Sequence, residues 1–313
     1  MNPTHYVTPY ERGNRNQTTT WAECIAWYER LATDFPQVLR FFRIGVSDNG
    51  VPLHAGVISA DGVLDRASIQ AAGRCVFFNN NGIHPGEPEG IDTCMALVRD
   101  FCTQPQRLAA LGSTVFLFIP IYNVDGCLNR NASSRVNQVG PETFGFRGNG
   151  RNLDLNRDFV KCDSLSAQAF NRFFTEWDPE VMVDTHTSNG ADYPYTMTLI
   201  HTQSDKLGGT LGAFLRETMV PSLYADMARR GWPTSPYVHP IKDSPDDGIA
   251  HMLDVPRFST GYAALHHTIG FMPESHMLKP FADRYEATRA LVETVLDFTV
   301  AHAGRIQALR RET

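Results

Sequence analysis

Short apolar runs alternate with helix-length amphipathic stretches through the middle of this chain, and that alternation limits the possible folds more than any other feature. Cys75-Val-Phe-Phe78, Val115-Phe-Leu-Phe-Ile119 and Val181-Met-Val183 read as buried strands, with helical spacing over about 89–101 and 164–177 between them. A strand and its parallel neighbour need a crossover, and the crossover helix covers a face of the sheet, so this pattern predicts a parallel sheet buried on both sides. Ahead of it, Val38–Ile44 and Val51–Ile58 flank the turn-forming Ser47-Asp-Asn-Gly50, which predicts an antiparallel hairpin. The expected fold is a three-layer α/β/α arrangement with a mixed, mostly parallel central sheet.

Helices bracket this pattern. Thr20 with Glu23 forms a capping box, followed by Trp21, Ile25, Tyr28, Leu31 and Ala32 at helical spacing. From Lys206 to Arg230 the period is again helical, interrupted by Pro221, which must start a second helix or kink one, so a break is expected there. A last helix over about 280–309 turns Phe281, Tyr285, Leu291, Val295 and Phe298 inward. Residues 136–151 and 238–261 are long and irregular, as loops that build sites often are. No repeat or linker divides the chain, so residues 1–313 are expected to form one domain.

Composition excludes several partners. The chain has no apolar run long enough to span a bilayer, and its net charge of -6 comes without a basic stripe for nucleic acid. Six scattered cysteines without a CxxC pair suggest reduced thiols. The N-terminal stretch lacks the plan of a signal peptide, which points to the cytoplasm, or to a secreted or periplasmic protein if a leader precedes Met1.

The chemistry concentrates at strand ends. After Cys75–Phe78 comes Asn79-Asn-Asn-Gly-Ile-His84-Pro-Gly-Glu87, where an imidazole and a carboxylate three residues apart in a tight turn can meet on one metal ion. Taken alone, HxxE is a common accident. A catalytic zinc wants a third ligand, and His186 follows the strand Val181–Val183 in Asp184-Thr-His186-Thr-Ser-Asn-Gly190; a histidine bonded to a backbone carbonyl is the plainer alternative. Between these segments lie Asn123-Val-Asp-Gly126, Arg135-Val-Asn137 and Asn152-Leu-Asp-Leu-Asn-Arg-Asp158, polar residues clustered in loop-like sequence.

In this order, Gly82–Glu87, Asn123–Gly126, Asp154–Arg157, Asp184–His186 and the late Glu274 of Gly270-Phe-Met-Pro-Glu274 resemble the signature of the zinc carboxypeptidases. The resemblance implies one zinc ion on His84, Glu87 and His186, with Asp154 orienting the His84 ring. It implies that Asn156 and Arg157 bind the substrate's terminal carboxylate, that Arg135 stabilises the oxyanion, and that Glu274 is the general base. Arg130, Arg147 and Arg151 lie near Arg135 and compete for its role. For the family's mobile tyrosine the nearest candidate is Tyr262, with Tyr237 as a substitute and a core tyrosine as the plain alternative. Arg257 or Ser259 would line the side-chain pocket.

The expected activity is hydrolysis of the C-terminal peptide bond of a peptide or small amide bearing a free C-terminal carboxylate. Rivals are an aspartoacylase-like deacylase of N-acyl amino acids and a metal-binding module without catalysis. A nucleotide-binding domain is disfavoured, because no GxGxxG or P-loop follows any strand.

Overall fold

The structure is a computed structural model that describes residues 3–189 and 191–313; Gly190, counted above in the loop after His186, lies outside the described residues. Among these residues one nine-stranded sheet organises the chain. Its strands are β1 (Leu39–Val46), β2 (Pro52–Ile58), β3 (Val76–Asn80), β4 (Val115–Ile119), β5 (Val181–Asp184), β6 (His186–Thr187), β7 (Met197–His201), β8 (Thr234–Pro236) and β11 (Ile269–Ser275). The order is β1-β2-β4-β3-β5-β11-β7-β8, with β6 pairing β11. β4, β3, β5 and β11 run parallel at the centre, where Phe77, Phe116, Val183 and Phe271 are fully enclosed. The β1–β2 hairpin joins one edge antiparallel, and β7 joins β11 antiparallel on the other.

The helices begin where their caps dictate. Thr20 and Glu23 form the reciprocal capping box of the helix Trp21–Asp34, and Ser164 caps Leu165–Trp177. The helix Glu89–Thr103 follows the metal-loop sequence directly, and the long helix Phe281–Glu312 packs against it. All six cysteines are unpaired. Among the described residues no helix is long and apolar enough to cross a membrane.

Two expectations need correction. The chain breaks at Gly208, which has a positive φ, and not at Pro221. Pro221 instead starts a helix: it sits in the first turn of Val220–Arg229, directly after a π-helical turn over Leu215–Met219. The stretch 238–261 also contains a second hairpin, β9 (Val238–Pro240) with β10 (Ile249–His251), and a short buried helix, Ser259–Ala264.

Candidate active site

The carboxyl ends of β3 and β5 and the last residues of β11 meet at one point. Gly82, at φ 65°, turns the chain as it leaves β3, just ahead of His84 and Glu87. β6 pairs β11 in parallel, and its register sets His186 opposite Glu274. His84, Glu87 and His186 are all buried, and one ligand atom from each lies within 4.8 Å of the others.

Whether these residues fit a zinc ion is decided by how their donors are oriented. His84 Nδ1 is 3.3 Å from Glu87 Oε1, and His186 Nδ1 is 3.0 Å from Glu87 Oε2, so both rings present the same nitrogen to the centre. The outward nitrogens are tied to carboxylates: His84 Nε2 lies 2.8 Å from Asp154 Oδ1 and His186 Nε2 lies 3.0 Å from Asp184 Oδ2. A carboxylate behind each ring holds the proton on Nε2 and leaves the Nδ1 lone pair for a metal. Two imidazoles and one carboxylate, all enclosed and converging, are the donor set of a catalytic zinc site. Asp184 was not anticipated as an orienting residue. Its signal was present in the Asp-x-His spacing, since alternate residues along an extended chain share a side.

Two carboxylates of the site are in opposite electrostatic conditions. Burial works to raise the pKa of Glu87, but Arg135, His84 and His186 outweigh it and hold the group well below the usual carboxylate range. Glu87 also accepts the Thr187 N–H at 2.9 Å and an Arg135 N–H at 2.6 Å. Among the described residues none donates a hydrogen bond to the Glu274 carboxyl; burial pushes it up to about 7, with His186 opposing and Glu87 reinforcing the rise.

The site lines a cleft of about 80 Å³ together with Asn156, Arg157, Arg147 and Tyr237. Through His84, Arg147 and Asn189 the cleft adjoins a wider cavity of about 330 Å³. The Asn156 side-chain oxygen is buried without a hydrogen-bond partner, a group that a ligand would satisfy. Arg157 is partly desolvated and stands over the Phe258 ring at 4.5 Å. Phe258, Met252 and Met272 give this end of the cleft an apolar wall; neither Arg257 nor Ser259 contributes to the lining.

Two expected residues are placed differently. Arg135 does not line this cleft. Its guanidinium is taken up by Glu87, by Gln138 at 2.6 Å and by the carbonyl oxygens of Thr187 and Ser188 at 2.9 and 3.0 Å. Arg147 faces the site instead, held by Asp154 Oδ2 at 2.9–3.0 Å and reaching within 3.5 Å of Glu87. Tyr262 is a core residue: it is 4% exposed, packs against Phe159 and Phe174, and donates its hydroxyl hydrogen to Asn171 Oδ1 at 2.7 Å. Burial pushes its phenol up to about 12. The tyrosine in the cleft is Tyr237, whose pKa is raised by burial and by Glu274.

The sequence matches the model of the zinc carboxypeptidase (peptidase M14) family over residues 24–213, more than half of the chain. The chain belongs to the zinc carboxypeptidase family. It is a zinc metallopeptidase, and His84, Glu87 and His186 form a grouping suited to the metal that family uses. No curated protein matches the sequence. Among solved structures it is similar to a metallocarboxypeptidase from Burkholderia cenocepacia, with 15% identity, a TM-score of 0.66, and 92% of this chain and 70% of that one covered. It is similar to the Pseudomonas aeruginosa metallocarboxypeptidase bound to (2-guanidinoethylmercapto)succinic acid, at 13% identity and TM-score 0.63 over 90% and 69%. Carboxypeptidase A from Helicoverpa armigera matches at 13% identity and TM-score 0.65 over 92% and 74%. At these identities the likeness establishes the shared fold.

Proposed function

We propose that this zinc carboxypeptidase, acting as one catalytic unit over residues 1–313, removes the C-terminal residue from peptides with a free terminal carboxylate. The observation that carries the reading is the convergence of the three metal-ligand residues, Glu274, Arg147, Asn156 and Arg157 on a single cleft. When bound by His84, Glu87 and His186, zinc supplies a Lewis acid that polarises the scissile carbonyl and acidifies a water.

The chain's own residues do the rest. Arg157 and Asn156 hold the terminal carboxylate, the arginine as a planar two-pronged donor and the asparagine through its side-chain N–H group. That grip fixes the last peptide bond against Glu274. Glu274 Oε takes the proton of the attacking water and returns it to the leaving amine nitrogen; a carboxyl raised toward neutrality is suited to both transfers. Arg147 faces the carbonyl oxygen as negative charge gathers there. Asp154 and Asp184 keep the His84 and His186 rings in register. The apolar wall of Phe258, Met252 and Met272 favours an uncharged C-terminal side chain over an acidic one.

The test is a panel of blocked dipeptides with free C-termini, their C-terminal amides, and several N-acyl amino acids, each assayed with and without chelator. Chelator-sensitive release of the last residue from the free acids alone is the expected result. Turnover restricted to the acyl amino acids would replace this reading with a deacylase.

A further inference from the structure

We infer that Asn123, Asp125 and Gly126 are positioning residues for Arg147: they clamp the backbone of the loop carrying its guanidinium and tie it to the loop carrying His84. The inference rests on the reading of Arg147 given above. None of the three lines the cleft, so the motif has no direct part in the chemistry described so far.

Each residue of the motif makes a separate contact. Asn123 caps the short helix Val124–Leu128, its side-chain oxygen accepting the Gly126 N–H at 2.9 Å, which leaves its amide nitrogen free to donate to the Arg147 carbonyl at 2.9 Å. The Gly126 carbonyl accepts the Phe146 N–H at 2.8 Å. Asp125 accepts the Gly150 N–H at 3.1 Å on one oxygen and the Ser47 hydroxyl at 2.5 Å on the other. The backbone is therefore held just before, at and three residues after Arg147. Position 126 admits only glycine here, since a Cβ would stand 2.3 Å from the Phe146 carbonyl oxygen and 2.9 Å from that of Gly148.

The same motif is tied to the metal loop. The Asn123 N–H donates to Gly82 O at 3.0 Å, and the Gly145 N–H to Pro85 O at 3.0 Å, on either side of His84. The Arg147 side chain is 41% exposed and leans chiefly on Asp154, so the anchoring of its backbone decides where its long stem begins. A misplacement of about 1 Å in such a group costs a reaction on the order of 100-fold.

The test compares Asn123→Asp, Arg147→Met and the double variant as zinc-loaded enzymes, on the blocked peptide that the wild type cleaves fastest. Asn123→Asp keeps the acceptor for Gly126 and removes the donor to Arg147. The expected result is a fall in kcat of about 10-fold or more for Asn123→Asp, with KM and zinc content unchanged, and of about 100-fold for Arg147→Met. The double variant should be no slower than Arg147→Met, because both act through one guanidinium. A normal kcat in Asn123→Asp, or a double variant slowed by the product of the two, overturns the clamp while leaving Arg147 in its role. A normal kcat in Arg147→Met removes that role instead. Backbone hydrogen exchange needs no substrate: the Phe146 and Gly150 amides should lose protection in Asn123→Asp and in Asp125→Ala, and unchanged protection in both refutes the clamp.

Discussion

Asp92 offers a measurable consequence of the way this fold is assembled. It lies in the first turn of the helix Glu89–Thr103, wholly enclosed, with one oxygen accepting the Thr19 N–H at 3.2 Å. Burial pushes its carboxyl from 3.8 up to about 7; Thr18 and Thr19 oppose the rise, and Glu89 adds to it. The folded chain therefore binds this proton more tightly than the unfolded chain does. Stability linked to it is fully present below the unfolded pKa and is lost as pH climbs through the folded value. A rise of about three units at about 1.4 kcal/mol each amounts to about 4 kcal/mol, accumulated between about pH 4 and pH 7. Asp92→Asn mimics the protonated acid and escapes that loss. Urea unfolding of both proteins should give similar stabilities near pH 4 and a gap in favour of the variant that widens by about 4 kcal/mol at pH 8. Excess chelator throughout removes any contribution from metal release. A gap that does not change with pH would refute the argument, because it would mean that Asp92 ionises in the folded protein as readily as in the unfolded one.

Other predictions address the site itself. Glu274→Gln should retain a full complement of zinc while kcat falls by about 1,000-fold, whereas His186→Ala should lose both; equal metal loss in the two would remove Glu274 from its role. Asp184→Asn should weaken zinc binding by about 10- to 100-fold in a chelator competition, since it loosens the ring of His186, and an unchanged affinity would show that the 3.0 Å contact does not hold that ring. Tyr262→Phe should lower stability by about 1 kcal/mol through the lost bond to Asn171 and leave kcat and KM untouched, while Tyr237→Phe should alter the kinetics. A kinetic defect in the Tyr262 variant would put that residue back at the cleft.

The proposed ligand residues could be read from the sequence because strands end where ligands gather, and the apolar runs before His84 and His186 mark those ends clearly. The helix at Thr20 was readable for a similar reason, its cap being encoded in two residues three apart. The arginine proposed to face the carbonyl oxygen was not. Arg135 and Arg147 both sit in sequence without periodicity, and what separates them is the path of the loop. That path takes Arg135 into a nest of carbonyl oxygens and leaves Arg147 half exposed at the cleft. Tyr262 misled for the opposite reason: Ser-Thr-Gly-Tyr-Ala-Ala has the small polar look of a loop, yet the segment is a helix buried against Phe159 and Phe174. The hairpin of β9 and β10 escaped notice because three-residue strands are too short for any alternation to show.

What divides the labour between Glu87 and Glu274 is the company the backbone gives each of them. Glu87 follows a tight turn that leaves it among a backbone N–H, an arginine and two imidazoles, all of which favour its charge. Glu274 lies near the end of a central strand whose backbone groups are engaged by β6 and β7, so the ladder that positions it opposite His186 also leaves its carboxylate few donors. One carboxylate is thus kept ionised for the metal and the other is left able to gain and lose a proton near neutrality. If that contrast is set by the strand pairing, bringing a donor to Glu274 should cost activity even when the carboxylate itself is untouched. A Met272→Lys substitution in the cleft wall would lower the Glu274 pKa and shift the acid limb of kcat downward while depressing its plateau. An unaltered limb in a folded, zinc-loaded variant would mean that something other than the lack of donors tunes this group.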